Sequence, residues 1–358
     1  MNKDNKMLII LTPGFARDET DTACLPFLQN LIKESNKEFP LLKIIILAFD
    51  YPFMTAEYQW HNNEIISFNG WGKKRFKKLF KWLLIWIKMR RIKRSNHVIG
   101  ILSLWCNECA YLGSRFARRN NLPHFCWILG QDAKKENKYI GRIRPFSEEL
   151  IAISDFIQEE FEKNHAVRPK YVVPIGIPTN ENLNENFLRH IDILGVGSFI
   201  QLKQYHLFIE AVYEIRRHFI NIRAVLCGKG PEENNLKKMI EKYGLQNNIS
   251  LTGELPHDEI LRIMNQSKVL LHTSKYEGLP AVCIEALYAG CHVISFVQPV
   301  HNDIEHWHIA HTKEQLAEKA RIILSNHGTL YKPVLTFTIG ESVKKIMHLY
   351  NYNESTTN

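Results

Sequence analysis

The sequence predicts an α/β protein made of two domains in which strands and helices alternate. The chain has 358 residues, more than a single hydrophobic core usually fills. Residues 269–274 and 290–296 read as two short buried strands joined by a helix, which makes one βαβ unit. The composition, 45% hydrophobic and 23% charged, is that of an ordinary globular protein.

Strands and helices alternate in both halves of the chain. In the first half, five apolar runs are predicted to be strands: residues 7–12, 42–49, 98–104, 124–129 and 150–154. A polar, Asn-rich stretch at 179–186 is the predicted linker. After it, the pattern continues through the βαβ unit and ends with predicted helices at 313–325 and 342–352.

Two glutamates that flank a predicted helix start are the main functional signal. Glu277 precedes Gly278-Leu279-Pro280, and Pro280 suits the first turn of a helix. Glu285 then falls in the second turn, and the free N–H groups between the two carboxylates form a phosphate site. Carboxylates accept hydrogen bonds from vicinal hydroxyls. The first carboxylate, the N–H groups and the second carboxylate therefore suit a sugar, a diphosphate and a ribose, in that order. An incidental pair on a surface helix is the alternative, but ligands bind at this edge of an open α/β sheet.

This spacing resembles the signature of a known family. Glu277-x7-Glu285, after Ser274 and before Gly290, is similar to the motif of the retaining GT-B glycosyltransferases, family 4-like (glycosyl transferases group 1). Three upstream segments resemble other family motifs in the same order. They are 193–211 (first strand and helix of the C-terminal domain), 224–231 (a Gly-x-Gly-Pro turn) and 248–260 (a strand and loop near the base).

The resemblance implies a GT-B fold, in which two Rossmann-like domains face each other across a cleft. Residues 1–186 would form the acceptor-side domain and 187–338 the nucleotide-sugar domain. Residues 339–358 would form a C-terminal helix and tail that pack back on the N-terminal domain.

The resemblance also implies a reaction. A hexose would move from a nucleoside-diphosphate sugar to a glycan or lipid-linked acceptor with retention of configuration, without a metal or other cofactor. The absence of an Asp-x-Asp motif is consistent with metal independence. The alternative is a non-catalytic sugar-nucleotide-binding or membrane-associated partner protein on the same fold.

That alternative rests on departures from the family pattern. Relatives carry an Arg directly after the glycine that corresponds to Gly197, where this chain has Ser198, but the lysine five residues later is present as Lys203. Such cations offset the charge that develops on the leaving diphosphate. Lys229 or Lys275 is a candidate replacement for the missing Arg.

The family motifs assign the remaining donor contacts. The resemblance implies that Glu277 holds sugar hydroxyls, that Glu285 holds the ribose, and that Leu255 faces the base. The complete implied donor set is Gly14, Gly197, Ser198, Gly230, Leu255, Glu277, Gly278, Leu279, Pro280 and Glu285.

Two positions in the first half complete the predicted site. Gly14 follows the first strand, where relatives keep a flexible loop that faces the donor diphosphate; an ordinary turn glycine is the alternative. Relatives often have His at Leu129, followed by Gly-x-Asp; this chain keeps Gly130 and Asp132. Asp132 is a candidate to bind the acceptor or act as its general base, or else it caps the next helix. No Gly-x-Gly-x-x-Gly follows the first strand, which argues against a dinucleotide-dependent oxidoreductase.

The cysteines and histidines suggest packing and a solvated loop. Seven scattered cysteines argue against a disulfide framework and indicate a reducing compartment. The close pair Cys106 and Cys109 is interpreted as core packing rather than a zinc or redox site. His301, His306 and His308 match no familiar ligand spacing, so a solvated loop is favoured over a metal site.

A basic segment supplies the net charge of +9. Residues 71–94, from Trp71 to Arg94, contain eleven Lys or Arg and no acidic residue. Six apolar side chains recur there at helical spacing: Phe76, Leu79, Phe80, Leu83, Leu84 and Ile87. Such a helix can lie on an anionic membrane surface, which would make this cytoplasmic protein peripheral on the inner face of the cytoplasmic membrane. A core-packed helix with a solvated basic face is the alternative. Nucleic acid is disfavoured because no nucleic-acid-binding motif accompanies the segment.

Overall fold

The chain forms two compact units. The computed structural model describes residues 6–70, 75–179 and 188–353. The first unit comprises Met1–Pro178 together with Phe337–Asn358, and the second comprises Thr179–Thr336. The predicted linker falls almost entirely among residues 180–187, outside the described ranges.

The first unit is built on an eight-stranded sheet with the order β3-β4-β2-β1-β5-β6-β7-β8. Only β3 is antiparallel to its neighbour. The strands are β1 (Lys6–Gly14), β2 (Lys43–Tyr51), β3 (Thr55–Trp60), β4 (Asn63–Phe68), β5 (His97–Leu104), β6 (His124–Ile128), β7 (Leu150–Ala152) and β8 (Tyr171–Val172). The central strands β1 and β2 are nearly continuous apolar runs because helices cover both faces of a parallel sheet.

The β3–β4 hairpin was not among the predicted strands. Its first strand alternates exposed and partly buried residues, as a strand with one solvated face does. The turn residues His61 and Asn62 both have positive φ, the conformation of a tight type I′ hairpin turn. No Asn-Gly or Asp-Gly pair marks this turn in the sequence, so the usual hairpin signal is missing.

Six helices belong to the first unit among the described residues. They are α1 (Pro26–Glu38), α2 (Arg75–Ser95), α3 (Glu108–Asn120), α4 (Ile140–Ile143), α5 (Asp155–His165) and α11 (Ile339–Leu349). The last helix starts three residues before the predicted position because Thr338 and Glu341 form a capping box. It packs against α1, and Ser342 Oγ donates to Pro174 O at 2.8 Å.

Helix α2 buries a different stripe from the one that its sequence suggested. Its core-facing residues are Ile85, Met89 and Ile92, together with the ammonium-bearing Lys81. Of the six apolar residues grouped by helical spacing, all but Leu84 are exposed, with Phe76 at 87% and Leu83 at 53%. The helix thus packs on the core through a second stripe and leaves most of the grouped apolar residues exposed, and contact with a membrane surface stays a prediction. Residues 71–74 lie outside the described ranges.

The buried Lys81 is held by two carboxylates. Its Nζ lies 2.7 Å from Asp50 Oδ1 and 3.0 Å from Glu108 Oε1. Trp82 Nε1 donates to the second oxygen of Glu108, and Lys78 pairs with the same carboxylate. These contacts fix α2 against the ends of β2 and α3.

None of the described helices combines the length and apolar character that crossing a bilayer requires.

The second unit is a wholly parallel six-stranded sheet with the order β11-β10-β9-β12-β13-β14. The strands are β9 (Ile191–Val196), β10 (Ala224–Cys227), β11 (Ile249–Gly253), β12 (Ser267–His272), β13 (His292–Ser295) and β14 (Trp307–Ile309). The helices are α6 (Tyr205–Arg216), α7 (Glu233–Lys242), α8 (His257–Asn265), α9 (Ala281–Tyr288) and α10 (Lys313–Ser325). The predicted βαβ unit is thus β12, α9 and β13.

The strand order reverses direction at the first strand of this sheet. From β9 the chain builds outward through β10 and β11, then returns to place β12 on the other side of β9. The loops that leave β9 and β12 at their carboxyl ends therefore run in opposite directions. Such a switch point leaves a crevice in which ligands of doubly wound sheets bind.

Candidate functional site

An ion pair joins the two loops at this switch point. Lys203 ends the loop after β9, Glu277 lies in the loop between β12 and α9, and Lys203 Nζ is 2.5 Å from Glu277 Oε1. The side chains are about one-fifth exposed, so both can be reached from solvent. Thr273 Oγ1 donates to Lys203 O at 2.6 Å, and the Lys275 backbone N–H donates to Leu202 O at 3.0 Å. The structure therefore brings together two predicted site residues that are 74 positions apart in sequence.

Two buried polar side chains beside this pair have no hydrogen-bond partner among the described residues. They are His272, through both ring nitrogens, and Ser274, through its hydroxyl. His272 is 5% exposed and Ser274 is fully buried. Burial, with a smaller effect of Lys203, lowers the pKa of His272 to about 3, so its ring is neutral near pH 7. Unpaired buried polar groups are rare and costly in folded proteins.

Sequence reasoning missed His272, although a signal was present. It is the last residue of an otherwise apolar strand, and Nε2 lies 3.9 Å from Glu277 Oε1. A polar residue at the carboxyl end of a buried parallel strand lies at the ligand edge of the sheet.

Glycines allow the loops after β9 and β10 to pack against each other. Gly228 has φ +148°, and a Cβ there would lie 1.9 Å from Gly197 O. A Cβ at Gly230 would lie 2.5 Å from Phe199 O. The Phe199 N–H also donates to Lys229 O at 2.9 Å. Side chains at Gly228 and Gly230 would push the β9 loop, and with it Lys203, out of place.

The start of α9 lies next to the ion pair. Pro280 is the N-cap, one residue earlier than the first-turn position predicted for it. No described side chain caps the helix, and its first turn has no acidic residue. Gly278, Leu279 and Pro280 are buried and lead directly from Glu277 into the helix. The positive end of the helix therefore lies immediately after the Lys203–Glu277 pair.

Glu285 has a partner that the sequence did not reveal. Its Oε1 lies 3.0 Å from Nε2 of His257, the first residue of α8. The hydrogen bond to Glu285 raises the pKa of His257, against the opposing effect of burial. Leu255 lies two residues earlier and is half-buried, so the loop between β11 and α8 reaches α9.

Three positions are relevant to the arginine that the family motif has and this chain lacks. Ser198 is exposed in the β9 loop and offers no charge. Lys229 and Lys275 are exposed, and the backbone of each is hydrogen-bonded to the β9 loop, at Phe199 and Leu202. Both candidate replacements therefore emerge at the same edge as Lys203.

In the first unit, the Asp132 carboxylate is occupied by backbone donors. Oδ2 accepts from the Cys106 N–H at 2.7 Å, and Oδ1 accepts from the Gly130 and Leu129 N–H groups at 2.9 and 3.1 Å. Burial raises its pKa to about 6, although these backbone hydrogen bonds oppose the rise. This geometry favours the structural alternative, in which Asp132 joins the loops after β5 and β6. It lies within a 3₁₀ turn rather than at a helix cap.

Gly14 also has a packing role. It is the last residue of β1, where the pairing with β2 shifts register, and a Cβ would lie 3.2 Å from Tyr51 Cβ. Thr12 Oγ1 donates to its carbonyl at 2.8 Å. These contacts favour the turn alternative over a loop that faces a ligand.

The remaining candidates form packed clusters. His306 and His308 stack on His292, and His292 Nδ1 lies 3.1 Å from His308 Nε2. No group of three potential ligands is arranged for a metal among the described residues. Cys106 and Cys109 are fully buried and free, as are the other cysteines apart from the half-buried Cys24.

Comparisons with known proteins assign the second unit to a family. Residues 179–332 match the family model described as glycosyl transferases group 1. The gpi3 subunit of phosphatidylinositol N-acetylglucosaminyltransferase from Schizosaccharomyces pombe is 27% identical over 154 residues, or 41% of this chain and 33% of that protein. The chain matches only a quarter to a third of the length of such curated relatives, 33%, 24% and 31% of three of them.

Solved structures share the fold of the whole chain. A glycosyltransferase from Rickettsia africae superposes with a TM-score of 0.70 at 17% identity, covering 97% of this chain and 98% of that one. Anabaena HepE, solved in complex with UDP and glucose, superposes with a TM-score of 0.62 at 15% identity, covering 96% and 95%. The GT-B fold predicted from the sequence motifs is thus confirmed, and the predicted resemblance to the group 1 glycosyltransferases is confirmed over residues 179–332.

Proposed function

We propose that this protein is a retaining, metal-independent hexosyltransferase that moves a sugar from a nucleoside-diphosphate donor to a glycan or lipid-linked acceptor. The observation that carries the proposal is the Lys203–Glu277 ion pair at the switch point of the second sheet, next to the uncapped start of α9. Carboxylate oxygens that accept from hydroxyls, a cation and the N-terminus of a helix without a side-chain cap lie there side by side. A nucleotide sugar presents the matching groups in the same order, first the sugar hydroxyls and then the negatively charged diphosphate.

Each group has a defined chemical task. Glu277 accepts hydrogen bonds from donor sugar hydroxyls, while the backbone N–H groups of Gly278, Leu279 and Ala281 face the diphosphate. Lys203 stabilises the negative charge that develops on the departing diphosphate, as a fixed electrostatic contribution. Lys229 and Lys275 add positive field where the family arginine is replaced by Ser198. Glu285, oriented by His257, holds the ribose.

The unpartnered side chains fit the same donor. Neutral His272 can donate from one ring nitrogen and accept at the other, and Ser274 can do both through its hydroxyl. A hydroxyl-rich ligand would satisfy these atoms if its binding uncovers them, because in the free protein they are closed to solvent. UDP sugars are the first donors to test, because the structurally similar HepE was solved with UDP and glucose.

The acceptor in this proposal is a glycan or a lipid-linked molecule. Relatives named for transfer to phosphatidylinositol support a lipid or lipid-linked acceptor. The exposed apolar stripe on basic helix α2 suits contact with an anionic membrane surface, on the cytoplasmic side in this proposal.

Asp132 is a positioning residue for the loops that face the acceptor, rather than its general base. Its oxygens already accept three backbone hydrogen bonds.

The second candidate is a sugar-nucleotide-binding protein without turnover. It is favoured by one observation, the replacement of the family arginine by the exposed and uncharged Ser198.

One experiment separates the two candidates. Nucleotide release and thermal stabilisation are measured over a panel of UDP, GDP and ADP sugars, for wild type, Glu277→Ala and the matched control Glu241→Ala on the exposed face of α7. The enzyme proposal expects one donor to be turned over by wild type and by the control, and not by Glu277→Ala. Stabilisation by a donor without any release would support the binding protein instead. No stabilisation by any donor would refute both.

A further inference from the structure

A basic groove runs along the first unit between α2, α3 and α4. Its volume is about 1590 Å³, and it is open to solvent. Three aromatic side chains, Trp82, Trp86 and Tyr111, form part of its wall. The candidate donor site, in the second unit, uses none of its residues.

The charge lining the groove is of one sign. Six cations line it, and no acidic residue is among its described lining residues: Lys78, Arg115, Arg118, Arg119, Arg142 and Arg144. Two of the six are tied to the protein. Lys78 pairs with Glu108, and Arg118 binds Glu149 and the carbonyls of Ile143 and Arg144.

Three of the other guanidinium groups are available to a ligand. Arg115 lies over the Tyr111 ring at 4.6 Å and Arg142 over the Tyr139 ring at 5.7 Å, so aromatic faces rather than carboxylates hold them. Arg119 makes no side-chain hydrogen bond or ion pair with a described residue, and all three arginines are exposed. Planar guanidinium groups without a carboxylate partner are suited to bidentate contacts with phosphate.

The groove continues into an apolar surface. Leu79 and Leu83 line it, and both belong to the exposed stripe of α2, at 51% and 53% exposure. The same stripe includes Phe76 and Phe80, at 87% and 46%. A contiguous exposed apolar surface next to a cationic groove indicates a ligand that is both apolar and anionic.

We propose that this groove binds the phosphate headgroup of an anionic phospholipid in a bilayer, while the α2 stripe enters the acyl boundary. The inference deepens the proposed membrane contact by assigning it a discrete headgroup site. It does not depend on sugar transfer. A free phosphate would use the arginines but leave the apolar stripe in water, and a zwitterionic headgroup would leave the excess positive charge unpaired.

A water-soluble, monomeric lipid tests the headgroup site without the surface potential of a membrane. Binding of monomeric dihexanoyl phosphatidylglycerol is measured by calorimetry for wild type and two triple variants of equal charge. The groove variant is Arg115→Gln, Arg119→Gln, Arg142→Gln. The control is Arg90→Gln, Arg91→Gln, Arg94→Gln, which removes three exposed cations of α2 that do not line the groove.

The site predicts that the groove variant weakens binding by at least about tenfold, because charge-assisted contacts are lost. The control should stay within about twofold, because only diffuse attraction changes. Dihexanoyl phosphatidylcholine and inorganic phosphate should bind much more weakly than phosphatidylglycerol. Sedimentation with phosphatidylglycerol vesicles should rank the variants in the same order.

Four results would overturn the proposal. They are equal losses in the two triple variants, equal binding of the phosphatidylcholine probe, phosphate binding as tight as the lipid, and no binding by wild type. If the groove variant is unstable to heating, the Arg→Lys triple takes its place and should still weaken binding severalfold, because the lysines keep the charge but lose the bidentate contacts. Nucleotide-sugar stabilisation, measured on the same samples, reports separately on the proposed transferase function.

Discussion

Asp132 and Glu277 occupy equivalent places in the two sheets but have opposite surroundings. Each carboxylate follows a buried strand at the carboxyl edge of a parallel sheet. Asp132 is 7% exposed and accepts three backbone N–H bonds. Glu277 is about one-fifth exposed, pairs with Lys203, and adjoins the unpartnered ring of His272.

The difference teaches that the sheet edge locates a site, while the partners decide what a residue does there. A carboxylate whose oxygens are filled by the backbone stabilises the loops around it. A carboxylate that shares a crevice with a cation and with unsatisfied donors is ready for a ligand. The comparison therefore predicts that substitutions in the second unit change catalysis and that substitution of Asp132 changes stability.

The largest effect is expected for Lys203. Lys203→Gln should lower the turnover of the preferred donor by about 100-fold or more, because a fixed cation at the leaving group is lost. Its melting temperature should change little, because the pair with Glu277 is partly exposed. Lys238→Gln, on the exposed face of α7, is the matched control. An unchanged turnover number in Lys203→Gln would remove Lys203 from the mechanism.

Asp132→Asn should act on stability instead. An amide replaces one acceptor oxygen with a donor, so at least one of the Cys106, Gly130 and Leu129 N–H groups loses its partner, at a cost of about 2 kcal/mol. Denaturant unfolding measures this loss, with Asp303→Asn in an exposed loop as control. Turnover per folded molecule should stay within a few-fold. A large loss of turnover in a fully stable Asp132→Asn protein would restore the general-base hypothesis.

The positions of the loops could be predicted from the sequence more fully than the contacts that their side chains make. The predicted strands that end at Thr12, Leu104, Leu129 and Ser274 record burial in a sheet, and that pattern is local. The partners of Glu277 and Glu285 come from residues 74 and 28 positions away, which periodicity does not encode. Glu277 and Lys203 could be paired in advance only through the family resemblance, whereas His257 and His272 had no motif to mark them.

Helix α2 shows the same limit in another form. Apolar residues occur on more than one side of this helix, so helical spacing could not decide which stripe faces the core. The ion pairs of Lys81 with Asp50 and Glu108 help to fix the choice, since they bury one lysine beside Ile85 and Met89. Those two carboxylates belong to β2 and α3, so they meet Lys81 only when these elements pack together.

A smaller effect is expected from the titration of His272. Its pKa is about 3 in the folded protein and 6.5 when unfolded, so between these values the unfolded chain binds the extra proton and stability falls as the pH falls. The loss attributable to His272 should be about 1.5 kcal/mol between pH 6.5 and pH 5. His272→Gln should flatten the pH dependence of unfolding by that amount. If wild type and variant have the same slope, His272 is not buried in its neutral form.

The smallest effect is expected from the His257–Glu285 pair, which is partly exposed. The raised pKa of His257 means that the stabilisation is complete below pH 6.5 and is lost as the pH rises through the folded-state value. His257→Gln should cost less than about 1 kcal/mol at pH 5.5, and less still at pH 8.5. The exposed His327→Gln is the control. A cost that increases with pH would contradict the pairing.

The most direct test of the donor site is the affinity that the sugar adds to the nucleotide. Calorimetry compares the preferred nucleotide sugar with its nucleoside diphosphate, in wild type and in Glu277→Gln. If Glu277 holds the sugar, wild type should bind the nucleotide sugar more tightly than the diphosphate. Glu277→Gln should lose most of this difference while still binding the diphosphate. An unchanged difference in Glu277→Gln would contradict a donor sugar held at the Lys203–Glu277 pair.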